Sequence, residues 1–565
     1  PTTTDGWEGL TVTVTKPDGT TETLGPYRTD STGITGDIYV PNQVGTYYLQ
    51  THFPEQMRNW TVPAILDPAL FGPILYKASD SEILELVVQE EQLPLYPGFQ
   101  LPTEYWTRPI DAQIREWSTI AGNWLTVPDN RFAPYNEGPE TAHILWAKPI
   151  TMGGLVGGEL GPQGFECGDA YEGKFASSVI IGGILFYNRY AVTFGDVPIE
   201  IQQGIVAVDL RTGEELWFRN NTRLAFGQTF YWDSYNFHGV FDYLWETVAP
   251  RPYAPASTWN AYDTFTGEWV YTMTNVPSGT NIYGPKGEIY RYTLNLEEGW
   301  MTMWNSSRVG SSGGSWGSSV HHRTLDATLG IEWNVTIPTG LPEVSIKTLE
   351  DRIIGANIGD MASVMSDPLE LWSISTAPGS EGELLYHTTW NQPTDQGTRW
   401  AAWSLEDRVG VIFVRELRQY YGFSLDTGKL LWGPTASQPY LDRFYMTRTE
   451  IAYGKLFSVG IGGVVHAYDV TTGKLLWTYE AEDAYNEILW ANNWWSHMVF
   501  ITDGKIYLGH LEHSPMDPKP RGAPFYCLDV ETGEEIWRAD GLFRSAHYGG
   551  RAIIGDSIIA TMDTY

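Results

Sequence analysis

One short design recurs along this chain and constrains its fold more than any other feature. A strand ends in Asp, a Thr-Gly turn follows, and a second strand carries Trp. It runs from Ile205 to Trp217 around Asp209 and Gly213, and from Trp259 to Trp269 around Asp263 and Gly267. It returns from Tyr421 to Trp432 around Asp426 and Gly428, from Val465 to Trp477 around Asp469 and Gly473, and from Phe525 to Trp537 around Asp529 and Gly533. The chemistry is the same each time. The Asp carboxylate can accept the N–H groups of the turn, Gly takes a positive φ at no steric cost, and the Trp can pack on a neighbouring sheet. A degenerate copy runs from Leu325 through Gly330 to Trp333, a fainter one from Gly382 to Tyr386, and a lone strand ends at Leu145-Trp146. From Gly213 through Gly330 to Gly533 the turn glycines lie 54, 63, 98, 45 and 60 residues apart, the 98 being two units of 49. A period of about 45–60 residues suits one four-stranded propeller blade with its loops. Counting Trp146, Trp217, Trp269, Trp333, Tyr386, Trp432, Trp477 and Trp537 as blade ends predicts eight blades, or seven if the Trp146 strand completes another blade.

Composition agrees with an all-β chain and removes several functions. The 565 residues include 59 Gly, 34 Pro and 25 Trp, a balance of many turns and rings. Lys and Arg number 35 against 68 Asp and Glu, a net charge of −33 that repels phosphate backbones and argues against nucleic-acid partners. No apolar run approaches the roughly 18–20 residues of a membrane helix, so no transmembrane segment is expected. Two cysteines, Cys167 and Cys527, are too few for a disulfide scaffold or a Cys-based zinc site. They could form one long-range disulfide or remain buried thiols. The chain opens at Pro1 rather than Met and reads as a processed or trimmed chain.

Three regions follow from the patterning. Residues 1–90 alternate apolar and polar in short runs, at Leu10–Val14, Asp37–Val40, Thr46–Leu49 and Glu82–Val88, separated by Pro17-Asp18-Gly19 and Asn42–Gly45. They predict a small β-sandwich resembling immunoglobulin-like modules. Residues 91–105 form a Pro-rich linker, stiff rather than floppy. Residues 106–565 form the propeller.

The repeated Asp, Thr-Gly and Trp resemble the pyrroloquinoline-quinone-like repeat, the blade of quinoprotein alcohol dehydrogenases and of the outer-membrane assembly lipoprotein. The resemblance covers about residues 140–565, and it specifies the fold rather than the function. It implies a quinoprotein-like β-propeller, and more narrowly a prokaryotic or archaeal cell-surface protein. Quinoprotein dehydrogenases stack their quinone on a disulfide of adjacent cysteines beside a calcium ion. No two cysteines are adjacent here, so the resemblance does not carry the quinone over. The expectation is no cofactor, with quinone disfavoured and calcium left open.

Blade topology indicates where a ligand would bind. If Thr-Gly turns join strands three and four, the crossovers between blades and the loops between strands two and three emerge on the opposite face. The crossover after Trp217 then carries Trp232 and His238 there, and the one after Trp477 carries Trp494, Trp495 and His497. The insertion in the last blade adds His510, Glu512 and His513, and the segment after Trp537 adds His547. These residues are the candidate ligand face, suited to stacking sugar rings or simply to packing one another. A metal site through His510 and His513 is the weakest reading, because HxxH in a strand points its side chains to opposite faces. His321-His322 reads as a mobile loop tip. No catalytic residues are assigned. Sequons at Asn59, Asn220, Asn305 and Asn334 mark candidate glycosylation sites for an extracellular chain.

The expected function is a non-catalytic extracellular surface protein, an adhesion, envelope or self-assembling scaffold that binds glycans at the propeller mouth. Its expected partners are further copies of itself in an array or filament, other surface proteins, or glycans. The alternative is a quinone-dependent dehydrogenase or a carbohydrate-active enzyme. The chain ends are expected to close the ring, with residues 551–565 joining the strand that ends at Trp146 and bringing Cys167 near Cys527.

Overall fold

The computed structural model describes residues 6–29, 35–37, 39–60, 72–90, 132, 136–148, 177–189, 204–234, 237–248, 256–310, 316–360, 363–364, 367–393, 396–440, 448–460, 462–482, 493, 496–510, 523–543 and 552–560. The linker at 91–105 lies outside them, as do Cys167 and residues 561–565.

In the N-terminal region, Thr21–Arg28, Glu8–Thr15 and Gly45–Phe53 lie side by side in one antiparallel sheet. Ser79–Asp80 and Leu84–Val88 both pair with Gly45–Phe53. Gln56–Trp60 and Gly72–Tyr76 form a separate hairpin. Trp7 joins the two, its ring 5.4 Å from Phe53 and 4.6 Å from Tyr76. Asp18 closes the first hairpin by accepting the Thr20 N–H at 2.9 Å, while Gly19 takes φ +80°. The buried Tyr47 hydroxyl accepts the N–H groups of Asn42 and Gln43 and fixes the next turn. One expected strand is corrected here: residues 37, 39 and 40 carry no strand.

Beyond residue 177 the described chain folds into seven antiparallel sheets of four or five strands and one two-stranded hairpin. They occupy 179–220, 226–277, 282–336, 345–390, 397–432, 448–480 and 496–543, and the hairpin is Ile553–Gly555 with Ile558–Ala560. Within a sheet the strands follow chain order, so each sheet is one blade of a β-propeller. The second and fifth sheets each gain a borrowed strand. Thr324–Asp326 adds in parallel to Trp269–Pro277, and Ser363–Val364 pairs with Gly397–Ser404.

The recurring residues build the joints between blades. Asp209 Oδ1 accepts the N–H groups of Arg211 and Thr212 at 3.0 and 2.8 Å and the Thr212 hydroxyl at 2.9 Å. Asp263, Asp469 and Asp529 do the same in their turns. Gly213, Gly267, Gly428, Gly473 and Gly533 all take φ between +65° and +73°. Glycine is required there for a second reason as well. A Cβ on Gly213 would stand 2.6 Å from Trp146, on Gly267 2.9 Å from Trp217, on Gly473 2.4 Å from Trp432 and on Gly533 2.5 Å from Trp477. Each Trp thus lies flat on the turn of the following blade. Each also donates its indole N–H to the carbonyl of the residue after the turn Asp, at Leu210, Thr264, Val470 and Val530. Tyr386 takes the same place against Gly428, where the neighbouring Thr388 hydroxyl donates to the Gly428 carbonyl.

The ring closes through both ends of the propeller chain. Phe132 bridges to Ile501, Thr502 donates to the Asn136 carbonyl at 2.7 Å, and Tyr507 donates to the Pro139 carbonyl at 2.8 Å, all on the seventh sheet. A few residues later Trp146 and Lys148 reach Leu210 and Gly213 of the first sheet. The C-terminal hairpin fills the same gap. Ile553 packs with Ile180, Leu185 and Trp146, whereas Ala552 and Ile554 pack with Phe500, Tyr507 and Cys527. The Trp146 segment is not itself a strand, and the described residues here hold seven full sheets and one two-stranded hairpin. Cys527 is a buried free thiol, and burial pushes its pKa up to about 12.

Candidate functional site

Hydrogen bonds fix which face each loop occupies. The N–H of the residue after the turn Asp donates to the turn between strands one and two, from Leu210 to Gly183, Val470 to Gly454 and Val530 to Gly504 at 2.9–3.0 Å. Both kinds of turn therefore share one face, and crossovers lie on the other. Adjacent turns also touch along this face, where Lys455 pairs with Glu531 and the Gly504 N–H donates to Tyr453.

This geometry moves two candidate residues. Phe226–Ser234 and Phe237–Val248 are not a crossover but a single long hairpin, paired from Phe226↔Trp245 to Ser234↔Phe237. Tyr243 pairs with Asp263, the residue that opens the turn. The second strand before Tyr243 therefore projects beyond the turn face. Trp232 and the backbone of His238 stand on this projection, opposite to where the sequence places them. No Gly or Pro marks the end of the first strand, so the run of aromatics reads as loop from sequence alone. Trp232 packs against Phe230 and Trp316, ring centres 6.1 and 5.6 Å away, and the Trp316 indole donates to the Tyr243 hydroxyl.

The strand ends that carry His497 and His510 lie away from the turn face. Ser496–Thr502 and Lys505–His510 pair with Ser496 opposite His510, so both strand ends lie away from the Asp503-Gly504 turn. His497 is buried at 5 % exposure. Trp494, Trp495, Glu512, His513 and His547 lie outside the described residues. His321-His322 is no loose tip. The His322 N–H donates to the Val270 carbonyl, its ring stacks on Trp269 at 5.6 Å, and His321 stacks on it at 4.0 Å. Among the sequons, Asn220 and Asn334 are exposed, whereas Asn305 is buried and its amide donates to Glu332. Asn59 lies in the Gln56–Trp60 strand.

One turn differs from its apparent sequence. In the fifth sheet Ser424, four residues before Gly428, holds the capping position, and its hydroxyl accepts the N–H groups of Asp426 and Thr427 at 3.2 Å. Asp426 is therefore no cap. It pairs with Arg408 and, at 3.2 Å, with Arg352, and both arginines also reach Asp351, at 3.1 and 2.8 Å. Arg408 holds the Asp426 carboxyl below its ordinary range, and Arg352 does so for Asp351. This four-residue network ties the fourth sheet to the fifth. Sequence spacing alone hid it, because Asp426-Thr427-Gly428 mimics the end of the motif.

Among the described residues no three His, Cys, Asp or Glu side chains converge as a metal site. No described helix is long and apolar enough to cross a membrane.

Residues 373–488, from the fourth sheet through the sixth, match a family model described as outer membrane protein assembly factor BamB. The propeller repeat is of this quinoprotein-like kind. No curated protein matches the chain. Among solved structures, BamB from Moraxella catarrhalis is similar at 10 % identity and TM-score 0.30, covering 69 % of this chain and 96 % of that one. Quinohemoprotein alcohol dehydrogenase from Comamonas testosteroni is similar at 11 % identity and TM-score 0.36, covering 78 % and 76 %. Kluyveromyces lactis Hsv2p is similar at 8 % identity and TM-score 0.31, covering 64 % and 96 %.

Proposed function

We propose that the chain is a non-catalytic binding scaffold that works outside the cell, presenting glycan- or protein-binding loops from a rigid propeller. The observation that carries this reading is where the recurrent polar residues are used. The turn aspartates satisfy turn N–H groups, the tryptophans lock each blade to the next, and the Arg352, Arg408, Asp351 and Asp426 network joins two sheets. The repeat is spent on architecture, which leaves recognition to the loops that differ between blades. The matched family is described as an outer-membrane assembly factor, and an assembly role is the coarser form of the same reading.

The test is a glycan array probed with the purified chain, alongside a dye-reduction assay with added quinone, calcium and a panel of alcohols and sugars. Retention on a subset of glycans, lost in a Trp494→Ala/Trp495→Ala variant, supports the reading. Quinone-dependent dye reduction would overturn it and favour the dehydrogenase alternative.

A further inference from the structure

The second sheet departs from the repeat at three positions that lie together, and the departures share one chemistry. In the first, sixth and seventh sheets the strand one–two connection turns tightly at Gly183, Gly454 and Gly504, and the residue after the turn Asp is a buried aliphatic, Leu210, Val470 or Val530. Register places Asp242 where those glycines stand and Thr264 where those aliphatics stand. Thr229 lies directly across from Asp242 on the neighbouring strand.

Strand alternation points all three side chains the same way. Tyr243 and Trp245 belong to the cluster packed toward the third sheet, whereas Leu244 and Tyr262 belong to the cluster packed toward the first. Asp242 and Thr229 therefore face the first sheet. There the Gly182-Gly183 turn ends that sheet at the same level, and a Cβ on either glycine would meet nothing within 4 Å. The turn is open to solvent at this point.

Thr229 Oγ1, Asp242 Oδ1 and Thr264 Oγ1 make no well-formed hydrogen bond and no solvent contact, and the Thr229 hydroxyl lies near enough to Asp242 to oppose part of its burial. Thr229 and Thr264 are 3 % and 1 % exposed. Among the described residues no Lys, Arg or His forms an ion pair with Asp242, and the nearby Asp263 adds negative charge. Desolvation raises the Asp242 pKa, as expected of a carboxylate without a counterion. Buried oxygens without partners in a native fold call for an ion or water. A carboxylate flanked by two hydroxyls and backed by a second acid favours a positive charge over a neutral molecule.

We infer that Thr229, Asp242 and Thr264 form a site for a hard, oxygen-seeking cation in the gap between the first and second blades. Calcium-class ions accept such mixed oxygen ligands and complete their shell with water, which the open Gly182-Gly183 side admits. The site lies on the turn face, apart from the candidate ligand face around His497 and His510.

Calorimetric titration of the chelator-treated full chain with CaCl2 in physiological salt tests this. The expected result is that wild type takes up one more ion per chain than Asp242→Asn. Thr264→Val, which installs the residue that Val470 and Val530 supply elsewhere, is expected to weaken that uptake without unfolding the blade. A parallel titration with NaCl against a tetramethylammonium background separates sodium from calcium as the occupant. Equal uptake by wild type and Asp242→Asn in both titrations overturns the site and leaves the carboxyl neutralised by a proton or water alone. Should Asp242→Asn fail to fold, Thr229→Val and Thr264→Val decide the matter, and unchanged affinity in both overturns it.

Discussion

The second propeller sheet, 226–277, and the sixth, 448–480, share their turn chemistry but not their hairpin chemistry. In both, an Asp accepts two turn N–H groups and a Trp from the preceding blade lies on the turn glycine. In the sixth, Tyr453-Gly454 turns tightly over a buried Val470. In the second, the hairpin runs on to Ser234 and Phe237, Thr264 replaces the aliphatic, and Thr324–Asp326 covers the outer edge. Where the Asp motif is complete, the outer joint repeats closely from blade to blade, because it must fit a neighbour on each side. The inner hairpin meets such a constraint only up to the turn face, and beyond it the sequence is free to acquire polar groups and projecting aromatics.

Breaking the joint in the sixth sheet should produce the largest effect. Trp432 is buried, seats on Gly473 and donates to the Val470 carbonyl at 2.7 Å. Trp432→Ala is expected to cost about 3–5 kcal/mol in chemical denaturation of the full chain. Gly473→Val should follow at about 3 kcal/mol, combining a positive φ with a clash against the Trp432 ring. Gly504→Ala separates the two causes. Its φ is +69° but nothing stands within 4 Å of its Cβ, so only the backbone term, roughly 1–2 kcal/mol, is expected. Equal losses for Gly473→Val and Gly504→Ala would show that the Trp contact adds nothing.

These joints are also what made the fold legible. Asp, Thr-Gly and Trp are local signals whose partners lie one period away, so the repeat could be read residue by residue from Asp209 to Trp537. The candidate site was less legible because its placement depends on register rather than on composition. Trp232 and His238 read as part of a crossover because the turn-favouring residues Asp233, Ser234 and Asn236 lie among aromatics without a Gly or Pro, and the pairing of Tyr243 with Asp263 is what places them on a hairpin. Asp426 reads as a cap in the sequence because Ser424, the residue that caps, is also an ordinary strand residue. The pairing of Asp426 with Arg352, some 70 positions earlier, has no sequence signature at all. His497 and His510 flank a well-marked Asp503-Gly504 turn, which sets the end of the sheet at which their backbone lies.

The hairpin of the second sheet should respond to pH in the opposite sense from an ordinary ion pair. The folded pKa of Asp242 is raised by burial, with Asp263 adding to it. Its contribution to stability is therefore complete below the unfolded value of about 3.9 and lost as pH rises through the folded value. In chelator-treated protein at pH 7, Asp242→Asn is expected to gain stability, and the gain should vanish in acid. Thermal denaturation across pH 3–7 checks the sign; a loss at pH 7 without cation would show that the carboxylate is already compensated.

The smallest effect should come from the fifth sheet, where capping and charge have been separated onto two residues. Asp426 pairs with Arg408 and Arg352 from an exposed turn, so Asp426→Asn is expected to cost less than about 1 kcal/mol. Its sign is the reverse of the Asp242 case. Arg408 depresses the folded pKa of Asp426, and Arg352 that of Asp351, so the stabilisation is present above about 3.9 and lost as pH falls through the folded values. High salt should shrink it further, since at 1 M the screening length is about 3 Å. Asp469→Asn in the sixth sheet supplies the contrast. Its role is to accept the N–H groups of Thr471 and Thr472, which an amide oxygen also does, so its small cost should barely change with salt. Matching salt dependence in the two variants would mean that Asp426 caps its turn after all, despite the position of Ser424.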